Sequence, residues 1–141
     1  MDLGLKDKRA LVLGGSRGIG FGIASELAAE GARVMLCSRD GAACEAAAAK
    51  IATAHGVEVI GRACDMSDLD AVDATAVAAE AELGGVDILI NNTGGPPPGP
   101  ISAVDTDTWS KHFQGMVLSV IRMTNYLLPG MRERKWGRII T

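Results

Sequence analysis

Leu11-Val12-Leu13-Gly14-Gly15-Ser16-Arg17-Gly18-Ile19-Gly20 joins a short apolar run to a glycine-rich turn, and the alanine-rich stretch after it reads as a helix. A glycine motif alone says little. Set between a strand and a helix, in a strand-helix-strand unit of the right length, it points to a dinucleotide-binding turn. Glycines let the backbone bend tightly and approach a pyrophosphate, while free amides and the partial positive charge of a helix N-terminus hold the anion. The same residues would also suit a tight turn that binds nothing.

Outward from that turn, short runs rich in Val, Leu and Ile alternate with longer alanine-rich stretches, the pattern of strands and helices around a parallel sheet. Strands are expected near Arg9 to Leu13, Arg33 to Cys37, Val57 to Ala63, Val86 to Asn91 and Arg138 to Thr141, each apolar enough for burial on both faces. The first helix runs from about Gly18 to Glu30 and stops at Gly31; the second spans Asp40 to His55, with Cys44, Ala47, Ala48 and Ile51 at core spacing. A third follows Ser67 as N-cap and carries Leu69, Val72, Ala76, Ala79 and Leu83 as its apolar stripe, ending at Gly84-Gly85.

The fourth helix is long, from about Asp107 to Arg134, with Trp109, Phe113, Val117, Val120, Ile121, Thr124, Leu127, Leu128 and Met131 at helical spacing. Pro129-Gly130 is expected to kink or interrupt it. Its apolar stripe either packs inward or meets a partner subunit. Gly94-Gly95-Pro96-Pro97-Pro98-Gly99-Pro100 is too stiff and too poor in donors for helix or strand, so it is a loop. The fold class is α/β: a single domain over 1–141, a Rossmann-type doubly wound parallel sheet in the order 3-2-1-4-5. Gly137 to Thr141 reads as the opening of a buried strand, so the fold is expected to be cut short on its C-terminal side.

Composition narrows the function. The chain has 141 residues, 48% hydrophobic and 22% charged, which is ordinary globular usage and excludes disorder. A net charge of -3 leaves no basic excess for a nucleic-acid backbone. Cys37, Cys44 and Cys64 lack zinc-ligand spacing and read as reduced thiols, and His55 and His112 suggest no metal site. Charges fall where a signal peptide needs its apolar run, and no apolar stretch could cross a membrane, so a cytoplasmic protein is expected.

About 20 residues beyond the glycine turn such a fold declares which ribose it accepts. The residues are Cys37-Ser38-Arg39-Asp40. A carboxylate at the strand tip would bond both ribose hydroxyls, whereas Arg39, with Arg17 from the turn, can form charge-assisted bonds to a 2′-phosphate. That favours NADP over NAD. Arg39 could instead pair with a surface carboxylate.

These residues together resemble the short-chain dehydrogenase/reductase family, especially 3-oxoacyl-acyl-carrier-protein reductases, over the whole chain. Gly14, Gly18 and Gly20 match the family's cofactor glycines, with Leu13 where a threonine is usual. Asp65, in Cys64-Asp65-Met66-Ser67, matches the aspartate that bonds the adenine amino group, although it would also suit a helix cap. Asn91-Asn92-Thr93-Gly94 is similar to the family's Asn-Asn-Ala-Gly at the end of the fourth strand. The resemblance implies cofactor contacts from Gly14, Ser16, Arg17, Gly18, Ile19, Gly20, Arg39, Asp65, Met66, Asn91 and Gly94.

The family's catalytic set is Asn, Ser, Tyr and Lys. Aligned without gaps, the asparagine position falls on Met116, and the serine and the Tyr-x-x-x-Lys pair would lie beyond Thr141, so no catalytic residue is expected among these. Tyr126 is followed four positions later by Gly130 rather than lysine. The resemblance implies an NADP-dependent reductase of small carbonyl or acyl substrates, forming a homo-oligomer. The chain by itself is expected to be inactive, and the alternatives are a dinucleotide-binding module without turnover or a fragment that mainly associates.

Overall fold

A computed structural model describes all 141 residues. Parallel strands β1 (Arg9–Leu13), β2 (Arg33–Ser38), β3 (Val59–Ala63), β4 (Ile88–Ile90) and β5 (Arg138–Ile140) alternate with helices α1 (Gly18–Ala29), α2 (Gly41–His55), α3 (Leu69–Leu83), α4 (Thr106–Phe113) and α5 (Ser119–Glu133). The sheet order is β3-β2-β1-β4-β5, the order expected of a doubly wound dinucleotide-binding fold. Successive strand residues point to opposite faces, which divides the core in two. Leu11, Leu13, Met35 and Leu89 face α3 and α5, while Ala10, Val12, Val34, Leu36, Ile88 and Ile90 face α1 and α2.

Burial on both faces holds for β1, β2 and β4. It fails at the two edges. β3 is only half-buried, and in β5 Ile139 and Ile140 are 38% and 56% exposed, because this strand order gives each of them one neighbour. Two strands are also shorter than expected, beginning at Val59 and at Ile88. The three cysteines are free and buried.

Three of the helices follow the sequence closely. Cys44, Ala47, Ala48 and Ile51 are the buried residues of α2, and Gly56 and Gly84 take the left-handed conformation just past α2 and α3. The N-cap of α3, however, is Asp68 and not Ser67: Asp68 Oδ1 accepts from the amides of Asp70 (3.0 Å) and Ala71 (3.3 Å). Ser67 is withdrawn from that duty because its amide and hydroxyl both donate to Asp65 Oδ1, at 2.9 and 2.7 Å.

The long fourth helix departs most. Pro129 and Gly130 lie inside α5, which continues to Glu133. The disturbance falls earlier, at Gln114–Leu118, where one π turn joins α4 to α5. Gln114 Nε2 donates to the Ser67 carbonyl, a Cβ on Gly115 would stand 3.7 Å from Ser67 Cα, and Ser119 Oγ donates back to Gly115 O at 2.6 Å. A side-chain hydroxyl taking a backbone carbonyl loosens the helical ladder at that point. The predicted apolar stripe divides: Leu127 and Met131, joined by Met123, are buried against α3, whereas Trp109, Phe113, Val117 and Ile121 are exposed.

One buried ionic cluster fastens the base of the sheet. Asp87, before β4, accepts from Arg9 Nε and Nη2 (both 2.8 Å), the Arg9 amide (3.1 Å) and Arg134 Nε (3.0 Å). Burial alone would raise its carboxyl pKa; the Arg9 hydrogen bonds and the two guanidinium charges outweigh it and hold the group below the ordinary carboxylate range. The cluster ties β1, β4 and the end of α5 together.

Candidate functional site

In a parallel sheet every loop leaving the C-terminal end of a strand opens on the same edge, so residues remote in sequence converge there. Gly14, Ser16, Arg17, Gly18, Ile19 and Gly20 leave β1, Arg39 leaves β2, Asp65 and Met66 leave β3, and Asn91 and Gly94 leave β4. All the cofactor residues anticipated from the sequence therefore follow the C-terminal ends of strands, on the same edge of the sheet.

The glycines divide their work by contact. A Cβ on Gly20 would stand 2.1 Å from Gly14 O, and one on Gly14 would stand 2.6 Å from Asn92 O, so both positions serve close backbone packing. Gly18 is different: its φ is +58°, and a Cβ there would meet nothing within 4 Å. It faces open space. Hydrogen bonding in α1 begins with Phe21 N to Arg17 O at 3.3 Å, which leaves the amides of Gly18, Ile19 and Gly20 without protein acceptors. Arg17 caps the helix with no side-chain bond, and no acidic residue occupies the first turn. Unpaired amides, a helix N-terminus and a nearby guanidinium together form a cradle suited to an anion.

Around the cradle the other residues are set up differently. Asp65 engages Ser67 through Oδ1 alone, leaving Oδ2 for another donor; the Ser67 hydroxyl and amide lower its pKa, helped by the charge of Arg39. Since Asp68 supplies the cap of α3, Asp65 is not a helix cap. Asn91 is 6% exposed, and its Nδ2 donates to Thr141 Oγ1 at 3.4 Å. Its Oδ1 is buried without a partner, a cost that a ligand donor would relieve. Arg39 makes no ion pair, which sets aside the reading that it pairs with a neighbouring carboxylate.

Asn92, part of the Asn-Asn-Thr-Gly run but given no contact of its own in the sequence analysis, has a clear job. Its Nδ2 donates to Gly14 O at 3.3 Å, stapling the end of β4 to the glycine turn. Alternation along the strand end was the available signal, since only one of two adjacent asparagines can face that turn. Met116, 40% exposed, stands within the π turn, and a thioether there offers no hydrogen-bond donor. Tyr126 is exposed on α5, away from the crevice loops.

Comparison with known proteins was made on sequence and on fold. The sequence pattern described as "short chain dehydrogenase" matches residues 8–141. D-beta-hydroxybutyrate dehydrogenase of Cupriavidus necator is 37% identical over 137 residues, covering 96% of this chain and 52% of that protein. A 3-oxoacyl-[acyl-carrier-protein] reductase of Vibrio cholerae is 35% identical over 138 residues, covering 98% of this chain and 55% of that one. The crystal structure of L-sorbose reductase from Gluconobacter frateurii, complexed with NADPH and L-sorbose, superposes with a TM-score of 0.93 at 34% identity, over 99% of this chain and 53% of that chain. The chain thus spans about half the length of the relatives it matches.

Proposed function

Since the chain belongs to the short chain dehydrogenase family, we propose that its crevice binds NADP for an oxidoreductase acting on small carbonyl or acyl substrates. The observation that carries this reading is the cradle: three unpaired amides at Gly18, Ile19 and Gly20, open space over Gly18, and Arg17 beside them without a carboxylate partner. The amides receive the diphosphate, Arg17 and Arg39 flank the phosphorylated ribose, and Asp65 Oδ2 and the Met66 backbone meet the adenine edge. Asn91 Oδ1 accepts from a ribose hydroxyl, and Gly94 brings backbone alongside. The chemistry that the cofactor would supply when bound in its reduced, dihydronicotinamide form is hydride delivery to a carbonyl carbon.

The test is calorimetric titration of the chain and of Arg39→Asp with NADPH and NADH. The exchange of charge is expected to weaken NADPH far more than NADH, because only the former carries the 2′-phosphate. Equal losses for both would remove the basis for NADP.

Met116 favours a second reading, a dinucleotide-binding module without turnover. The π turn presents a thioether where the family resemblance places an amide. NADPH that binds and is never oxidised by carbonyl substrates supports the module; sustained turnover by a verified 141-residue species defeats it. Association with further copies through the exposed face of α4 and α5 is part of the same proposal.

A further inference from the structure

Asp65 stands on the short link between β3 and α3, and the group that anchors its carboxylate belongs to a distant part of the chain. Two bonds to Oδ1, from the Ser67 amide and hydroxyl, tie the carboxylate to Ser67. They join residues two apart, so by themselves they do not place the turn against the rest of the fold. The π turn does that. Gln114 Nε2 donates to the Ser67 carbonyl, and a Cβ on Gly115 would stand 3.7 Å from Ser67 Cα, so the π turn lies directly against that residue. Lys111, three residues before Gln114 and outside the five ion pairs of the molecule, adds its charge to that of Arg39 at the Asp65 carboxylate.

We infer that Gln114 is a positioning residue for the cofactor's base: by holding the Ser67 carbonyl it aims Asp65 Oδ2 at the exocyclic amine, and so makes the site select adenine over a base with a carbonyl there. The inference rests on the proposal that Asp65 meets the adenine edge. An ionised carboxylate only accepts hydrogen bonds. Adenine offers it an amine donor, whereas hypoxanthine offers a carbonyl oxygen at the same position, which the carboxylate repels. Discrimination of this kind depends on the length and angle at which Oδ2 meets the base. Without the Gln114 bond, Ser67 and the carboxylate tied to it shift as one unit, and the amine is met at poorer geometry. Gln114 spends its amide on Ser67 and acts only through Asp65, so its effect should vanish once that carboxylate is gone.

The experiment is a double-mutant cycle: NADPH and its hypoxanthine counterpart are titrated calorimetrically into the chain, Gln114→Met, Asp65→Ala and the double variant. The unaltered chain is expected to prefer NADPH about tenfold, and Gln114→Met to lower that preference about fivefold while the hypoxanthine nucleotide binds as before. In the Asp65→Ala background Gln114→Met should change nothing. Gln114→Glu, which keeps the shape and loses the donor, serves the same test and should lower the preference at least as much. A Gln114 variant that keeps the full preference, or that weakens both nucleotides equally whether or not Asp65 is present, overturns the inference while the adenine contact of Asp65 stands. A preference that survives in Asp65→Ala, or none in the unaltered chain, overturns that contact and the inference together, and the NADP reading is still tested by Arg39→Asp.

Discussion

Gly18 and Gly20 stand two positions apart in the same turn, yet alanine at Gly20 should act on stability through packing, while alanine at Gly18 should act chiefly on binding. At Gly20 the new methyl would lie 2.1 Å from Gly14 O and 2.8 Å from Asn92 Nδ2, so the backbone of the turn must shift. Overpacking of this kind costs about 1–3 kcal/mol, and losing the Asn92 bond to Gly14 adds about 1 kcal/mol. Better helix propensity returns about 1 kcal/mol, for a net loss of about 1–3 kcal/mol. At about 3 °C per kcal/mol for a chain of this size, Tm should fall by about 3–9 °C. At Gly18 the methyl meets nothing, and the cost is only that of a left-handed alanine, about 1–2 kcal/mol. That methyl, however, enters the space over the amides, where one lost charge-assisted bond of about 1.5–3 kcal/mol weakens NADPH by at least tenfold. Thermal melts and NADPH fluorescence titrations of both variants separate the effects. A folded Gly18→Ala that binds NADPH like the unaltered chain would refute this account of the cradle. If Gly20→Ala melted at the same temperature as the unaltered chain, the packing argument would be wrong.

Two further outcomes follow from the structure. Asp87→Ala leaves two guanidinium groups without their buried partner, and because Arg9 and Arg134 side chains keep 21% and 30% exposure, the loss should be about 2–4 kcal/mol rather than the full cost of a dry pair. The folded pKa of Asp87 lies below its unfolded value, so the stabilisation is complete above about pH 4 and disappears as pH falls through the folded pKa. Urea melts should therefore separate Asp87→Ala from the unaltered chain at pH 7 and converge in strong acid; a constant gap would contradict the assignment. Separately, Phe113→Glu with Ile121→Lys, on the exposed face of α4 and α5, should turn an oligomer into a monomer in light scattering, and an unaltered assembly would locate the interface elsewhere.

The sequence carried the fold well because local signals and tertiary burial agreed in most of it. Apolar runs marked β1, β2 and β4, and glycines past α1, α2 and α3 marked where those helices stop. It carried less where two local signals competed. Ser67 and Asp68 are both good caps, and only the turn that Asp65 makes with Ser67 decides between them. Pro129 resembles a helix breaker, yet α5 accommodates it, while the π turn depends on Gln114 reaching Ser67 across 47 residues. Helical periodicity marked an apolar stripe from Trp109 onward but not the direction it faces.

The candidate site was legible in its residue types and illegible in its long-range contacts. Gly14, Gly18 and Gly20 stood out, but their different tasks depend on Asn92, brought beside them by the pairing of β1 with β4.

The central claim is that free backbone amides at the start of α1 receive the cofactor's diphosphate. Amide chemical shifts followed by 15N NMR during an NADPH titration test it most directly. Gly18, Ile19 and Gly20 should move most and saturate together with the fluorescence signal of the bound nucleotide. Saturable binding that leaves those three amides in place would contradict the account.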